Sequence, residues 1–125
     1  LPAVISHHAK LAYERGLTPH VYFSAVWAPP CNAIRSLKDD PRMLRAFANV
    51  YVIELDDTGR GSSLGTEIGR YSGVVQHTVG MPTYPSFYEV DARGELTGRT
   101  INGSAWGADT VENMAPALAR YFHRS

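Results

Sequence analysis

The sequence predicts a single α/β domain built on a mixed central sheet of about four strands flanked by helices. Two short apolar runs, residues 21–26 and 50–55, enclose a helical stretch, which is typical of two parallel strands joined by a right-handed crossover. Further along, residues 85–91 and 96–101 flank Ala92-Arg93-Gly94, a pattern that predicts an antiparallel hairpin. The length of 125 residues fits one domain of ordinary size.

Composition excludes several classes of protein. The hydrophobic fraction of 44% suffices for a core, and 12 basic residues balance 12 acidic ones. Without concentrated positive charge, we expect no nucleic-acid partner. No apolar run approaches the roughly eighteen residues that span a bilayer. Because the chain begins at Leu1 and shows no signal peptide, we expect a mature or excised domain from which any targeting segment has been removed.

The helices in the first half are predicted from capping residues and apolar spacing. Ser6 is the expected cap of a first helix, which Gly16 would end before a turn at Thr18 and Pro19. The run 21–26 lacks polar alternation, so we expect a strand buried on both faces. The run 50–55 is expected to be a second buried strand. A helix should follow Pro29-Pro30, and Asp40-Pro41 should open a further helical turn.

The second half contains a long connection and a final helix. Residues 58–80 begin rich in glycine and serine, which predicts a loop, although residues around Ile68 and Tyr71 would suit a short helix. Asp109, with Glu112 three residues later, resembles a capping box for the last helix. Pro116 leaves two interpretations: the helix is kinked there, or it begins near Ala115.

The segment Trp27-Ala28-Pro29-Pro30-Cys31 lies where the first strand gives way to a helix. A Cys-x-x-Cys pair at such a junction is reactive because the helix N-terminus lowers the pKa of the first thiol and favours the attacking thiolate. The second thiol, one turn later, resolves the mixed disulfide. Here Ala28 occupies the attacking position and Cys31, the only cysteine, occupies the resolving one.

With these residues the chain resembles the thioredoxin superfamily, most closely the branch that contains the C-terminal domain of the periplasmic DsbD reductases. The resemblance covers most of the chain. It depends on the strand before Trp27, the Trp-x-Pro-Pro-Cys turn, Asp40-Pro41, and Tyr84-Pro85-Ser86-Phe87 leading into a strand that ends near Gly94. It implies a thioredoxin fold, thiol–disulfide exchange with a protein or peptide substrate, no cofactor and an extracytoplasmic location.

The resemblance also assigns roles to individual residues. Trp27, Pro29, Pro30 and Tyr84 would face the substrate, and Pro85 would be a cis-proline opposite Cys31, with Pro82 as the rival candidate. Two departures stand out. Tyr22 occupies the position where many relatives bury a carboxylate that accepts a proton from the resolving thiol, so that relay is absent or replaced. The connection formed by residues 58–84 is longer than the corresponding segment of compact thioredoxins, and it would form an extra lip beside the site.

Other functions fit the same residues. A redox-inactive module could bind an extended peptide near Pro85 by strand addition. Cys31 alone would suit a monothiol site or a metal ligand, but a packed core residue is the simpler interpretation.

No metal site is predicted. No two histidines have metal-binding spacing, and His77 is the one histidine whose position in the chain would let it approach Cys31 as a base. Glu54, Asp56 and Asp57 would suit a hard cation, although a solvated strand end explains them more simply.

Overall fold

A four-stranded mixed sheet forms the centre of the protein in a computed structural model, which describes residues 1–57, 71, 75 and 83–123. Strands β1 (Thr18–Ala25) and β2 (Val50–Asp57) are parallel. Strand β3 (Ser86–Val90) pairs antiparallel with β1, and β4 (Leu96–Asn102) pairs antiparallel with β3. The spatial order is β2–β1–β3–β4, so the predicted α/β class, parallel pair and hairpin are confirmed.

Helices α1 to α3 belong to the first half of the chain. They comprise α1 (Pro2–Glu14), α2 (Pro29–Ser36) and α3 (Pro41–Ala46). A 3₁₀ turn (Gly103–Ala105) and helix α4 (Val111–Phe122) follow the hairpin. Within the described residues, no helix is both long and apolar enough to cross a membrane.

The first helix begins earlier than predicted. Ser6 lies inside α1, whose N-cap is Leu1 and whose first residue is Pro2. Proline suits that position because the amide hydrogen it lacks would have no partner in the first turn. The predicted end at Gly16 is confirmed, since Gly16 has a φ of +70° and Leu17 N donates to Ala12 O at 2.8 Å.

Capping was predicted correctly for α3 and wrongly for α4. Asp40 caps α3 and accepts a hydrogen bond from Arg42 N at 2.8 Å. For α4 the cap is Thr110, because Asp109 instead accepts a hydrogen bond from Trp106 Nε1 at 3.0 Å. Pro116 lies inside α4, which therefore begins well before Ala115.

Strand β1 is the best-buried element of the sheet. Its side chains from Pro19 to Ala25 are buried, as predicted for residues 21–25, but Val26 follows the strand and is exposed. The strand also includes Thr18 and Pro19, where a turn was expected. Proline is tolerated there because β3 pairs with β1 only from His20 to Phe23, so the missing amide hydrogen breaks no bond to β3.

The two faces of the sheet are packed by different helices. Alternate residues of a strand point to opposite faces. Val21 and Phe23 pack with Ile5 and Ala9 of α1, and we call this side the α1 face. Tyr22 packs on the other side against residues of α2, α3 and α4, which we call the α2 face: Ile34, Met43, Met114 and Leu118.

Strand β2 is less buried than predicted. Ile53 and Leu55 are buried on the α1 face, whereas Val52 and Glu54 are exposed. The cause is topological, because β2 is at the edge of the four described strands. The expected loop at 58–80, with its possible helix, lies largely outside the described residues. Its two described positions, Tyr71 and Val75, are helical and buried on the α1 face.

A buried histidine on β1 packs against α4 and is hydrogen-bonded to it. His20 on β1 is fully buried, its ring meets Tyr121 and Phe122 edge-on at centroid distances of 5.4 and 5.0 Å, and Nε2 is 3.1 Å from the Tyr121 hydroxyl. Burial lowers the pKa of His20 to about 4, against smaller opposing effects of the hydrogen bond with the Thr18 carbonyl and of nearby Glu89. The folded protein therefore holds this ring neutral.

This histidine should make the protein less stable in acid. From pH 6.5 to pH 4 the unfolded chain binds a proton at His20 while the folded chain does not, so the free energy of unfolding should fall by about 3 kcal/mol. Urea denaturation across that range measures the fall. His20→Gln should flatten this part of the profile even though it lowers stability at neutral pH, and His7→Gln, at an exposed position, should not. An unchanged slope in His20→Gln would show that another group causes the loss.

Candidate functional site

The turn between β1 and α2 presents two hydrophobic side chains at the surface. Val26 and Trp27 follow β1 and are 47% and 54% exposed. Asn32 Nδ2 donates a hydrogen bond to Val26 O at 3.1 Å, which connects this segment to the first helical turn of α2. Such a fixed and exposed pair is suited to contacting another molecule.

Ala28 is the N-cap of α2 and is nearly buried. Its backbone is extended (φ −90°, ψ 115°), and its carbonyl oxygen accepts hydrogen bonds from Cys31 N and Asn32 N, both at 3.1 Å. Pro29, which is exposed, and Pro30, which is half-buried, occupy the first two helical positions. The sequence therefore places position 28 at the helix N-terminus and Cys31 one turn later, as predicted.

Cys31 is fully buried and is the free thiol of the chain. It packs with Ala25 and Ala28, and the half-buried Tyr84 covers this group. Burial raises the pKa of the Cys31 thiol, while hydrogen bonds with the Ala25 backbone and the Tyr22 side chain act in the opposite direction. A buried thiol with a raised pKa is a poor nucleophile, which suits a resolving position better than an attacking one.

Tyr22 contacts the thiol from the sheet. Its ring stacks on Phe87 at a centroid distance of 4.3 Å and an interplanar angle of 4°, and its hydroxyl and the Cys31 thiol each shift the pKa of the other. Burial raises the pKa of Tyr22 well above its usual range, so the hydroxyl keeps its proton. Tyr22 can therefore donate a hydrogen bond to a thiolate at Cys31 but cannot accept the thiol proton as a carboxylate would.

The segment before β3 reaches the same site. The Tyr84–Pro85 peptide bond is cis, as predicted, and Pro85 is buried. The Tyr84 ring meets Trp27 at a centroid distance of 5.8 Å and also packs against the group around Cys31. Four predicted site residues from two distant parts of the sequence are thus brought together: Trp27, Ala28, Cys31 and Tyr84. Pro82, the rival cis-proline, lies outside the described residues.

Other candidate residues are not drawn into this site. His8 is hydrogen-bonded to Tyr51, His20 is in the core, and His77 lies outside the described residues. Ser24 donates hydrogen bonds to Glu54 Oε2 at 2.7 Å and Asp56 Oδ1 at 3.2 Å, so these carboxylates are held by a hydroxyl. In the part of the chain that the structure covers, no three His, Cys, Asp or Glu side chains are grouped to hold a metal ion.

One contact of the site was missed from the sequence. Position 22 was identified as a departure from the family pattern, but the effect of its hydroxyl on the pKa of Cys31 was not anticipated. The alternation of β1 does indicate that Tyr22 shares a face with α2, and this was the available signal. The sequence matches no protein-family model, and no curated protein matches it.

Proposed function

We propose that this chain is a thioredoxin-fold thiol:disulfide oxidoreductase domain, related to the C-terminal domain of the DsbD reductases, in which Ala28 replaces the attacking cysteine. The observation that carries the proposal is the packing of Tyr84 against both Trp27 and the group around Cys31. It brings the N-terminus of α2 and the start of β3 to one surface, and thiol–disulfide exchange with a polypeptide would take place there. The same resemblance favours an extracytoplasmic location within a larger protein.

In the proposed family, positions 28 and 31 carry out different steps of the reaction. A thiolate at position 28 would attack a substrate disulfide, forming a mixed disulfide and releasing one substrate thiol. The Cys31 thiolate would then attack the position-28 sulfur, releasing the second substrate thiol and closing a disulfide between positions 28 and 31. The chain with Ala28 lacks the first step. We therefore expect no catalytic reduction of insulin by the chain as it stands.

A trapping experiment tests the proposed substrate-facing role of position 28. The double variant Ala28→Cys with Cys31→Ala has an attacking thiol and no resolving one, so it should accumulate a mixed disulfide with insulin. The adduct should appear on non-reducing gels and disappear with dithiothreitol.

A second double variant provides the matched control. Ala33→Cys with Cys31→Ala places the same thiol on α2, half-buried and away from the helix N-terminus, and should give little adduct. Equal trapping by both variants, or none by the first, would contradict the proposal.

A redox-inactive binding module is the second candidate, and the exposure of Val26 and Trp27 beside Tyr84 favours it. Such a module would bind an extended peptide through backbone hydrogen bonds and these side chains, with no covalent step. Binding of a cysteine-free peptide that survives alkylation of Cys31 and is lost in Trp27→Ala would support this function over the oxidoreductase.

A further inference from the structure

A cleft opens on the α2 face of the sheet, behind Cys31. It lies between the edge strand β2 on one side and helices α2 and α3 on the other, and its volume is about 480 Å³. That volume falls within the range of sites that bury small-molecule ligands. Tyr71 and Val75, the described residues of the long connection, are on the opposite face of the sheet.

The interior of the cleft is apolar. Phe87 of β3 and Met43 of α3 are fully buried at its base, and Ile34 and Phe47 form its helical wall. Leu44 and Val52 flank it and are 56% and 37% exposed, although both are aliphatic. Exposed aliphatic side chains on two sides of one concave surface are typical of a binding site rather than of isolated surface residues.

The charge around the cleft is mainly positive. Arg35 on α2 and Lys38 just after it are exposed and line the cleft. Arg35 Nη1 also donates to Asn32 Oδ1 at 2.7 Å, three residues earlier in the same helix. The carboxylate in the cleft is Glu54, which already accepts a hydrogen bond from Ser24.

We propose that this cleft binds a small amphipathic carboxylate, with its hydrocarbon part on Met43, Leu44 and Val52 and its carboxylate at Arg35 and Lys38. The apolar base provides affinity by removing hydrocarbon from water, and the two cations select the charge of the head group. Cys31 and Tyr22 also line the cleft, so a ligand there would lie against the inner side of the candidate redox site. This inference does not depend on the proposed redox function.

Decanoate below its micellar concentration is the probe. In NMR spectra of a protein with labelled methyl groups, decanoate should change the chemical shifts of the methyl groups of Ile34, Leu44 and Val52. These changes should saturate as the decanoate concentration rises, and those of Val4 should not. Val4 is 50% exposed on α1, so it reports non-specific contact with the hydrocarbon. Decyltrimethylammonium has the same chain and the opposite charge, and it should not saturate the same resonances.

Matched variants test the charge argument by calorimetry. Arg35→Gln with Lys38→Gln should weaken decanoate binding about tenfold, the sum of two exposed charge pairs. Lys10→Gln with Arg15→Gln removes equal charge from exposed positions on and next to α1, and should leave the affinity unchanged.

Leu44→Gln alters an exposed position, so it should fold normally and weaken binding as well. Saturation by decyltrimethylammonium, equal shifts at Val4, or equal loss in both charge variants would overturn the proposal.

Discussion

Ala28→Cys is expected to produce a protein that closes a disulfide with Cys31 and reduces insulin catalytically. The new thiol would lie at the N-cap of α2, where the helix dipole lowers its pKa and increases its thiolate fraction. Cys31, one turn later, would resolve the mixed disulfide from within the same molecule. Because an oriented internal group acts at a very high effective concentration, insulin reduction should rise on the order of a hundredfold above the rate with dithiothreitol alone.

Two measurements check this result. Insulin precipitation driven by dithiothreitol measures turnover, and the intact mass after mild oxidation shows whether two hydrogen atoms are lost. The single variant Ala33→Cys is the control, because it adds a thiol to the same helix, in a position that does not cap it. A folded Ala28→Cys protein whose two thiols never oxidise together would refute the assignment of the motif.

The sequence predicted those parts of the fold that local patterns determine. Val21 and Phe23 lie in a run that is apolar except for Ser24, and a run without polar alternation is characteristic of a central strand. The Asp40-Pro41 pair acts as predicted because both the cap and the fixed proline φ operate within one turn. The hairpin at Gly94 was predicted for the same reason, since its turn residues are adjacent in the chain.

The errors arose where a residue had a competing partner elsewhere. Asp109 has the chemistry of a helix cap, but the indole of Trp106 takes its carboxylate, and Thr110 caps the helix instead. Val52 was expected to be buried because its apolar run resembles that of β1. Its exposure depends on the order of the strands, which places β2 at an edge. Single-residue patterns contain no information about strand order.

Only the part of the site that depends on local structure was predicted from the sequence. Trp27, Ala28 and Cys31 are close in sequence, so their relation to the helix N-terminus follows from local structure. The contact between Tyr22 and Cys31 depends on how α2 lies over the sheet, and the cleft depends on the distance between α3 and β2. Both are properties of packing between elements, which the sequence pattern does not specify.

Among the glycines that the structure describes, Gly94 is the one whose replacement by alanine should cause the largest loss of stability. Gly94 lies in the turn between β3 and β4 with a φ of +85°, a conformation that costs an alanine about 1–2 kcal/mol. A Cβ atom there would also lie 2.8 Å from Ser6 Cα and 2.9 Å from Ser6 N. These are backbone atoms in the middle of α1, so the helix or the whole turn must move to relieve the clash.

The matched control is Gly98→Ala on β4. Gly98 has a similar φ of +97°, but a Cβ atom there would meet nothing within 4 Å. This variant should therefore lose only the conformational part, about 1–2 kcal/mol, while Gly94→Ala should lose about 1–3 kcal/mol more through overpacking. Urea denaturation gives the free energy of unfolding of both variants. Equal losses would mean that α1 does not press against the hairpin turn, and the packing of the α1 face would need revision.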